Sequence, residues 1–415
     1  MNLFLFLRML KYLLYLILFC CPAWGFSQHT DSLSIKNGID NPSTLATHHF
    51  GIFSARINQN FKIKPASNPT LNISYASGNN FHPFVETYFP KDPEVREAFS
   101  HIIWHDRPFN FIDQETTPAD YTNMVIDAVI KEFRVELNVP ISPEHELGVT
   151  LRSYLINKGK HPFSLFTSDE TVEWFHSNLA GGEDPYGRRY YGLNQVNFKY
   201  TDRYGKVLEF NNNDFFISGI ELNHYYYPPF LKNDKKQLYF NFGSHLGINT
   251  SKFNASIDLG FSANGLKKIA LKNNNEINIG IGANVLRKNI IDFKDNVDLG
   301  NNPFLAVIES DIEYTKYTKK RNYHAFGVVY HIQSRYNKLE EADYYVLKGK
   351  WQEIKGGWQH GTETLYKALS DWTFIYTYGR PKYKLSLYFK EDFLVNNAPD
   401  IQTGFSLKIP FIKNK

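Results

Sequence analysis

At 415 residues the chain is long enough for two or three soluble domains, or for one membrane barrel with long loops. Its net charge of +4, from 46 basic and 42 acidic residues, is mixed in sign and excludes a nucleic-acid partner. No segment beyond the N-terminus has about eighteen unbroken apolar residues, which excludes a helical span. A mean hydropathy of -0.40 does not exclude a membrane, because a barrel strand is apolar on one face only. Aromatic residues make up 16%, with 27 Tyr and 34 Phe, an excess that fits girdles at two membrane interfaces.

Residues 1–27 read as a secretory signal: Arg8 and Lys11 form the positive flank, 12–19 the apolar core, and Ala23-Trp24-Gly25 a small-residue cleavage site. The only cysteines, Cys20 and Cys21, lie inside it, so the exported chain is expected to hold neither thiol nor disulfide. Ile17, Leu18 and Phe19 lack the small residue that a lipidation signal needs.

Residues 28–48 read as a flexible lead and 49–415 as a single outer-membrane barrel domain. Strand-like stretches begin with Phe53, Ala55, Ile57, Phe61 and Ile63, alternating with Ser54, Arg56, Asn58, Asn60 and Lys62. Between 125 and 139, Val129, Phe133, Val135 and Leu137 oppose Glu132, Arg134, Glu136 and Asn138. Asp127 and Lys131 interrupt the apolar face, which predicts positions near strand ends or in a loop.

Further candidates follow at 146–156, 193–200, 215–226, 238–248, 255–261, 276–285, 304–314, 323–333, 372–378 and 383–390. Ile277, Ile279 and Ile281 against Asn278, Gly280 and Gly282 show the pattern plainly. The last stretch sets Phe405, Leu407, Ile409 and Phe411 on one face, with Gly404, Ser406 and Lys408 on the other, and serves as a C-terminal barrel signal. The prediction is an all-β transmembrane antiparallel barrel of about twelve strands, within about ten to fourteen. Helical spacing is confined to 92–103 and 362–369.

Short connections rich in Asn, Asp, Gly and Lys (233–236, 273–275, 379–381) alternate with long ones at 77–121, 158–190, 287–303 and 335–371. That is the pattern of short periplasmic turns and long external loops. A soluble β-sandwich rarely carries several such loops.

Ser168-Asp169-Glu170-Thr171-Val172-Glu173-Trp174-Phe175-His176, with Gly181-Gly182 and Tyr186-Gly187-Arg188-Arg189, resembles a loop signature in one group of bacterial outer-membrane β-barrel proteins. The stretch 385–392 with Ala398-Pro399-Asp400 is similar to the group's closing strands, and the insert at 335–371 has no counterpart there. The group is uncharacterised and catalogued as a domain of unknown function. The resemblance implies a barrel from about Phe50 onward, without an assigned activity.

Asp169, Glu173 and His176 share one face of a short helical turn, within reach of Arg188 or Arg189. They form the weak catalytic candidates, for ligand binding or acid–base work at the barrel mouth. The competing reading is a lid pinned by ion pairs and anchored by a buried Trp174–Phe175 pair. His101 and His105 have metal-compatible spacing, but Ile102 stands where a zinc protease needs Glu. No metal and no cofactor are expected.

No Gly-x-Ser-x-Gly elbow occurs, although a nucleophile and base on neighbouring wall strands would leave no local motif. Glu132, Arg134, Glu136, Glu309, Asp311 and Glu313 are expected to face the lumen, either as a neutralising filling or as a wet solute path.

The functional expectation is a Gram-negative outer-membrane channel or transporter-like protein for small solutes or lipids. A lipid-acting barrel enzyme and a structural barrel with ligand-binding loops are the alternatives. Outer-membrane lipid and the barrel-assembly machinery are the expected partners.

Overall fold

The computed structural model describes residues 36–86, 103–104, 107–108, 123–159, 164, 166–179, 193–202, 204–272, 275–318, 322–336, 338, 368–391 and 401–411. Twelve strands close into a ring. They are β1 (Thr70–Glu86), β2 (Asn123–Pro140), β3 (His145–Asn157), β4 (Asp214–Tyr226), β5 (Leu238–Thr250) and β6 (Ala255–Ala270). The ring continues through β7 (Glu276–Asp292), β8 (Phe304–Tyr317), β9 (Tyr323–Gln333), β10 (Leu369–Arg380), β11 (Tyr383–Glu391) and β12 (Ile401–Pro410).

Each strand pairs antiparallel with its neighbours in sequence, and β1 closes the ring between β12 and β2. Tyr75 lies opposite Phe405 on one side and Phe133 on the other. Closure leaves the ring without a free edge, the condition for strands to cross a bilayer.

Period-two alternation sorts the side chains. On β7, Ile281 is 60% exposed on the outer face while Asn278 and Leu286 are buried inside. Ile308, Ile312, Phe326, Phe374 and Leu387 extend the same apolar outer surface around the ring. Such a continuous exposed belt is stable against hydrocarbon and not against water. Among the described residues no helix is long and apolar enough to cross a membrane.

The intervals at one end of the ring are 141–144, 227–237, 271–275, 318–322 and 381–382; both ends of the barrel chain, Thr70 and Pro410, lie there too. The other end takes the intervals 87–122, 158–213, 251–254, 293–303, 334–368 and 392–400.

Several expectations are corrected. The alternating stretch 53–63 is not a barrel strand: it runs through the lumen outside the ladder. The strand that opens the barrel is Thr70–Glu86, so residues 77–86, expected to open a loop, belong to it. From Lys36 onward the expected flexible lead is ordered, with Lys36, Ile39, Leu45 and His48 buried; residues 28–35 lie outside the described residues.

Asp127 and Lys131 sit within β2 and are buried, because other parts of the chain cover that end of the strand. The stretch 193–200 contributes Asn197–Thr201, which with Val207–Phe210 forms an accessory hairpin paired to the first residues of β2. Of the two helical expectations, Ile103 falls in a two-residue strand and Leu369 opens β10. The rest of 92–103 and all of 362–367 lie outside the described residues.

Candidate functional site

A twelve-strand ring is wider than the eight-strand barrels that wall side chains alone can fill. Here residues 36–69 fill it. The segment enters near the turn end, where Lys36 pairs with Glu313. It climbs to a short 3-10 helix at His49–Phe53 beside the loops, then returns to Thr70. Its two legs touch each other: Ile39 N–H donates to Phe61 O (3.0 Å), and Arg56 Nη2 donates to Ser43 Oγ (2.8 Å).

The returning leg is extended, yet wall side chains satisfy its backbone instead of a neighbouring strand. Ala55 N–H donates to Asp258 Oδ2 (2.8 Å), Arg56 N–H to Glu221 Oε1 (3.0 Å) and Asn60 N–H to Asn264 Oδ1 (3.1 Å). Asn241 Nδ2 donates to Asn60 O (2.6 Å) and Asn254 Nδ2 to Phe53 O (2.8 Å). This arrangement explains why 53–63 has a strand's alternation without a ladder.

Its apolar side chains enter gaps where the wall has glycine. A Cβ at Gly280 would lie 2.7 Å from the Phe61 ring, and one at Gly260 would lie 2.3 Å from Ile57 Cδ1.

Ion pairs fix the hairpin at two levels. At the turn end, Asp40 accepts from Lys384 Nζ (2.8 Å) and from the Tyr323 hydroxyl (2.5 Å), with Lys36 at 3.5 Å. Lys62 pairs with Glu146, which also accepts from Ala66 N–H (2.9 Å).

At mid-height, Arg56 pairs with Glu132 (3.0 Å), which also meets Arg134 (3.4 Å) and accepts from the Tyr154 hydroxyl (2.7 Å). Glu221 joins Arg134 to Arg152. The ascending leg is held by other strands: Asn41 Nδ2 donates to Glu309 Oε1 on β8 (2.7 Å), Leu45 N–H to Gln402 Oε1 on β12 (3.1 Å) and Thr47 Oγ1 to Gln333 Oε1 on β9 (2.7 Å).

The tip is different. Phe50 and Phe53 are fully buried among Tyr200, Phe210, Phe216 and Phe253, partly supplied by the accessory hairpin. His48 stacks on Tyr336 at 4.2 Å, and Lys288 Nζ lies 3.7 Å above the same ring. Burial pushes the Tyr336 phenol above its ordinary range. Nearby, the hydrogen bond to Asp295 holds the exposed Lys206 ammonium above its usual value.

Glu132, Arg134, Glu136, Glu309, Asp311 and Glu313 all lie on the lumen side of β2 and β8. Gly404 also faces inward, beneath the Tyr388 ring, while Phe405, Leu407 and Ile409 face outward on β12; Phe411 follows the strand, exposed.

Asp169 and Glu173 belong to helix α1 (Asp169–Asn178). It docks outside the ring on β1: Asn79 Nδ2 donates to Asp169 Oδ1 (2.8 Å), and Asn194 N–H donates to Oδ2 (2.6 Å). Asp169 is therefore committed to amide donors. The anchor expected of Trp174 and Phe175 is reversed, since they are 56% and 49% exposed. The side chain of His176, together with Arg188, Arg189, His101 and His105, lies outside the described residues.

Residue-level reasoning missed Arg152, Glu221 and the cations of residues 36–62. A usable signal was the basic excess of that segment against the acidic inner positions of β2 and β8.

Asn223, His245 and Ser262 form a relay across β4, β5 and β6. His245 Nδ1 lies 2.7 Å from Asn223 Oδ1, and its Nε2 lies 2.9 Å from Ser262 Oγ. The order suits a nucleophile and base, but Ser262 sits between Gly243 and Asn284 in the ladder. Backbone N–H groups there are taken by strand pairing, so a developing oxyanion meets no backbone donor. Among the described residues no group of three His, Asp or Glu could hold a metal.

Outside the ring an apolar groove of about 400 Å³ runs between Tyr75, Phe166, Phe374, Leu387, Phe389 and Phe405.

No family model matches the chain, so the resemblance of 168–189 and 385–400 to the barrel group of unknown function has no family match behind it. No curated protein matches it. Among solved structures, the chain is similar to an outer membrane channel from Pseudomonas putida F1 at 6% identity and TM-score 0.39, over 83% of this chain and 96% of that one. It is also similar to the NanC porin at 10% identity and TM-score 0.36, over 83% of this chain and 100% of that one. A bacterial polysaccharide outer membrane secretin follows at 8% and 0.31, over 83% and 99%. The twelve-strand ring itself rests on this chain's own strand pairing.

Proposed function

We propose that the protein is an outer-membrane barrel, channel or transporter-like, for small solutes or lipids. In this state its own N-terminal hairpin occupies the passage. The proposal includes export on residues 1–27, with the turn end toward the periplasm and the long loops outward.

One observation carries the reading: apart from two small apolar patches at Phe61 and Ile57, the legs of the hairpin meet the wall through hydrogen bonds and ion pairs, not through a strand ladder. Water can take the place of such contacts, so a wall of Asn, Ser, Thr and charged side chains remains wettable once the hairpin moves. A purely structural filling would gain more from apolar packing, since exchanging buried ion pairs for hydrophobic residues is often neutral or stabilising.

The test is a reversible lock. Ile57→Cys with Gly260→Cys places a thiol on each side of the contact where a Cβ at Gly260 would meet Ile57 Cδ1, in a chain whose Cys20 and Cys21 are replaced by serine, and the lock is scored only where oxidation is seen to join them. In planar bilayers the oxidised protein is expected to be silent. The reduced protein is expected to open intermittently, and more often when Phe53→Ala loosens the tip. Silence of the reduced, loosened protein would remove the channel reading.

A further inference from the structure

Resting on that reading, we infer that the passage beneath the hairpin selects cations, and that Lys36 is a tethered cation occupying its acidic wall. Glu309, Asp311 and Glu313 stand at every second position of β8 and face the lumen together. Glu313 is taken by Lys36 of the hairpin, and Glu309 by the Asn41 amide. Asp311, between them, is 0% exposed, and neither carboxylate oxygen has a hydrogen-bond partner among the described residues. Diagonally across on β9, Gly327, which pairs with Glu313, leaves space: a Cβ there would be 3.7 Å from Asp311 Oδ1. A carboxylate aimed into the passage beside this gap, flanked by two more whose partners belong to a movable segment, suits a passing cation.

Charge balance points the same way. Residues 36–69 carry Lys36, Arg56, Lys62 and Lys64 against Asp40 alone, a net +3 with histidines neutral. Moving the hairpin strips Glu313, Glu146 and one side of Glu132 of their partners. On the basic side it frees Lys384 from Asp40, while Lys390 keeps Asp371 (3.0 Å) and Arg134 and Arg152 keep Glu221. The opened lumen is therefore more acidic than the closed one. A narrow low-dielectric path lined by one sign of charge concentrates the opposite ion.

The experiment uses the full chain with Phe53→Ala, which loosens the hairpin without changing charge. Under a potassium chloride gradient the reversal potential is expected to show potassium favoured over chloride several-fold. The ratio is expected to fall by at least half in Glu309→Gln/Asp311→Asn, with current retained. Chloride preference, or a ratio that the double variant leaves unchanged, overturns the inference while the channel reading survives.

A second arm needs no current. Thr373→Cys places a thiol on the lumen face of β10, two strands from Asp311 at the same level, with Cys20 and Cys21 replaced by serine. Cationic thiol reagents are expected to label it several-fold faster, relative to anionic ones, than when Asp311→Asn is present. An equal ratio in the two proteins overturns the inference even where the bilayer arm is silent.

Discussion

The tip of the hairpin and its legs are held by different physics. Phe50 and Phe53 sit in an aromatic cap beside the loops, where burial from water supplies the attraction. The legs, a few residues away, exchange hydrogen bonds and charges with the wall. Apolar burial stabilises whether or not a partner group is aligned, while a polar contact contributes mainly its margin over hydration. The comparison assigns the strength of the closed state to the tip, and its register and reversibility to the legs.

That assignment is most easily broken at the tip. Phe53→Ala deletes a fully buried ring that faces Phe210, Phe216 and Phe253, and is expected to weaken seating by about 3–5 kcal/mol. Protease cleavage between residues 36 and 69 in an otherwise folded, heat-modifiable barrel would report it. An uncleaved segment would show that the legs hold without the tip.

The mid-height cation should come next. Arg56→Ala leaves Glu132 facing the lumen with Arg134 and Tyr154 but without its nearest plug partner, at a cost of about 2–3 kcal/mol. Arg56→Lys keeps the charge but not the planar guanidinium whose Nη2 donates to both Ser43 and Glu132, so partial recovery in the same cleavage assay is expected. Full recovery would mean that position 56 acts through charge alone.

Packing of the returning leg can be tested without touching charge. Gly280→Val pushes carbon into the Phe61 ring, and is expected to cost about 1–2 kcal/mol of seating and raise open probability. An unchanged open probability would mean that the ring slides aside.

The ring was legible because hydrocarbon imposes a one-sided demand on each crossing strand. Ile277, Ile279 and Ile281 on β7, and Phe405, Leu407 and Ile409 on β12, announce it residue by residue. The opening strand was not legible, since Ser77 and Asn79 break its outer face. They are covered by the segment at Thr167 and Asp169, an approach from 90 residues away that no local pattern encodes. The hairpin was misread for the opposite reason. Residues 53–63 are extended and alternate in the manner of a strand, but their partners are side chains of β2 to β7. The inward charges of β2 and β8 were readable from alternation, but their mates were not: Lys36 and Glu313 stand 277 residues apart.

The smallest effect should come from the polar contacts of the ascending leg. Thr47 Oγ1 donates to Gln333 Oε1 near the loop end, beside Tyr336 and the tip. Thr47→Ala removes one neutral hydrogen bond between a half-buried hydroxyl and the buried Gln333 amide, so the loss should be about 0.5–1 kcal/mol. If polar leg contacts add little beyond hydration, Thr47→Ala should leave cleavage of residues 36–69 nearly unchanged alone. With Phe53→Ala, its effect should be additive, since the tip no longer limits release. A large effect from Thr47→Ala by itself would reverse the division of labour, placing the strength of closure in the leg.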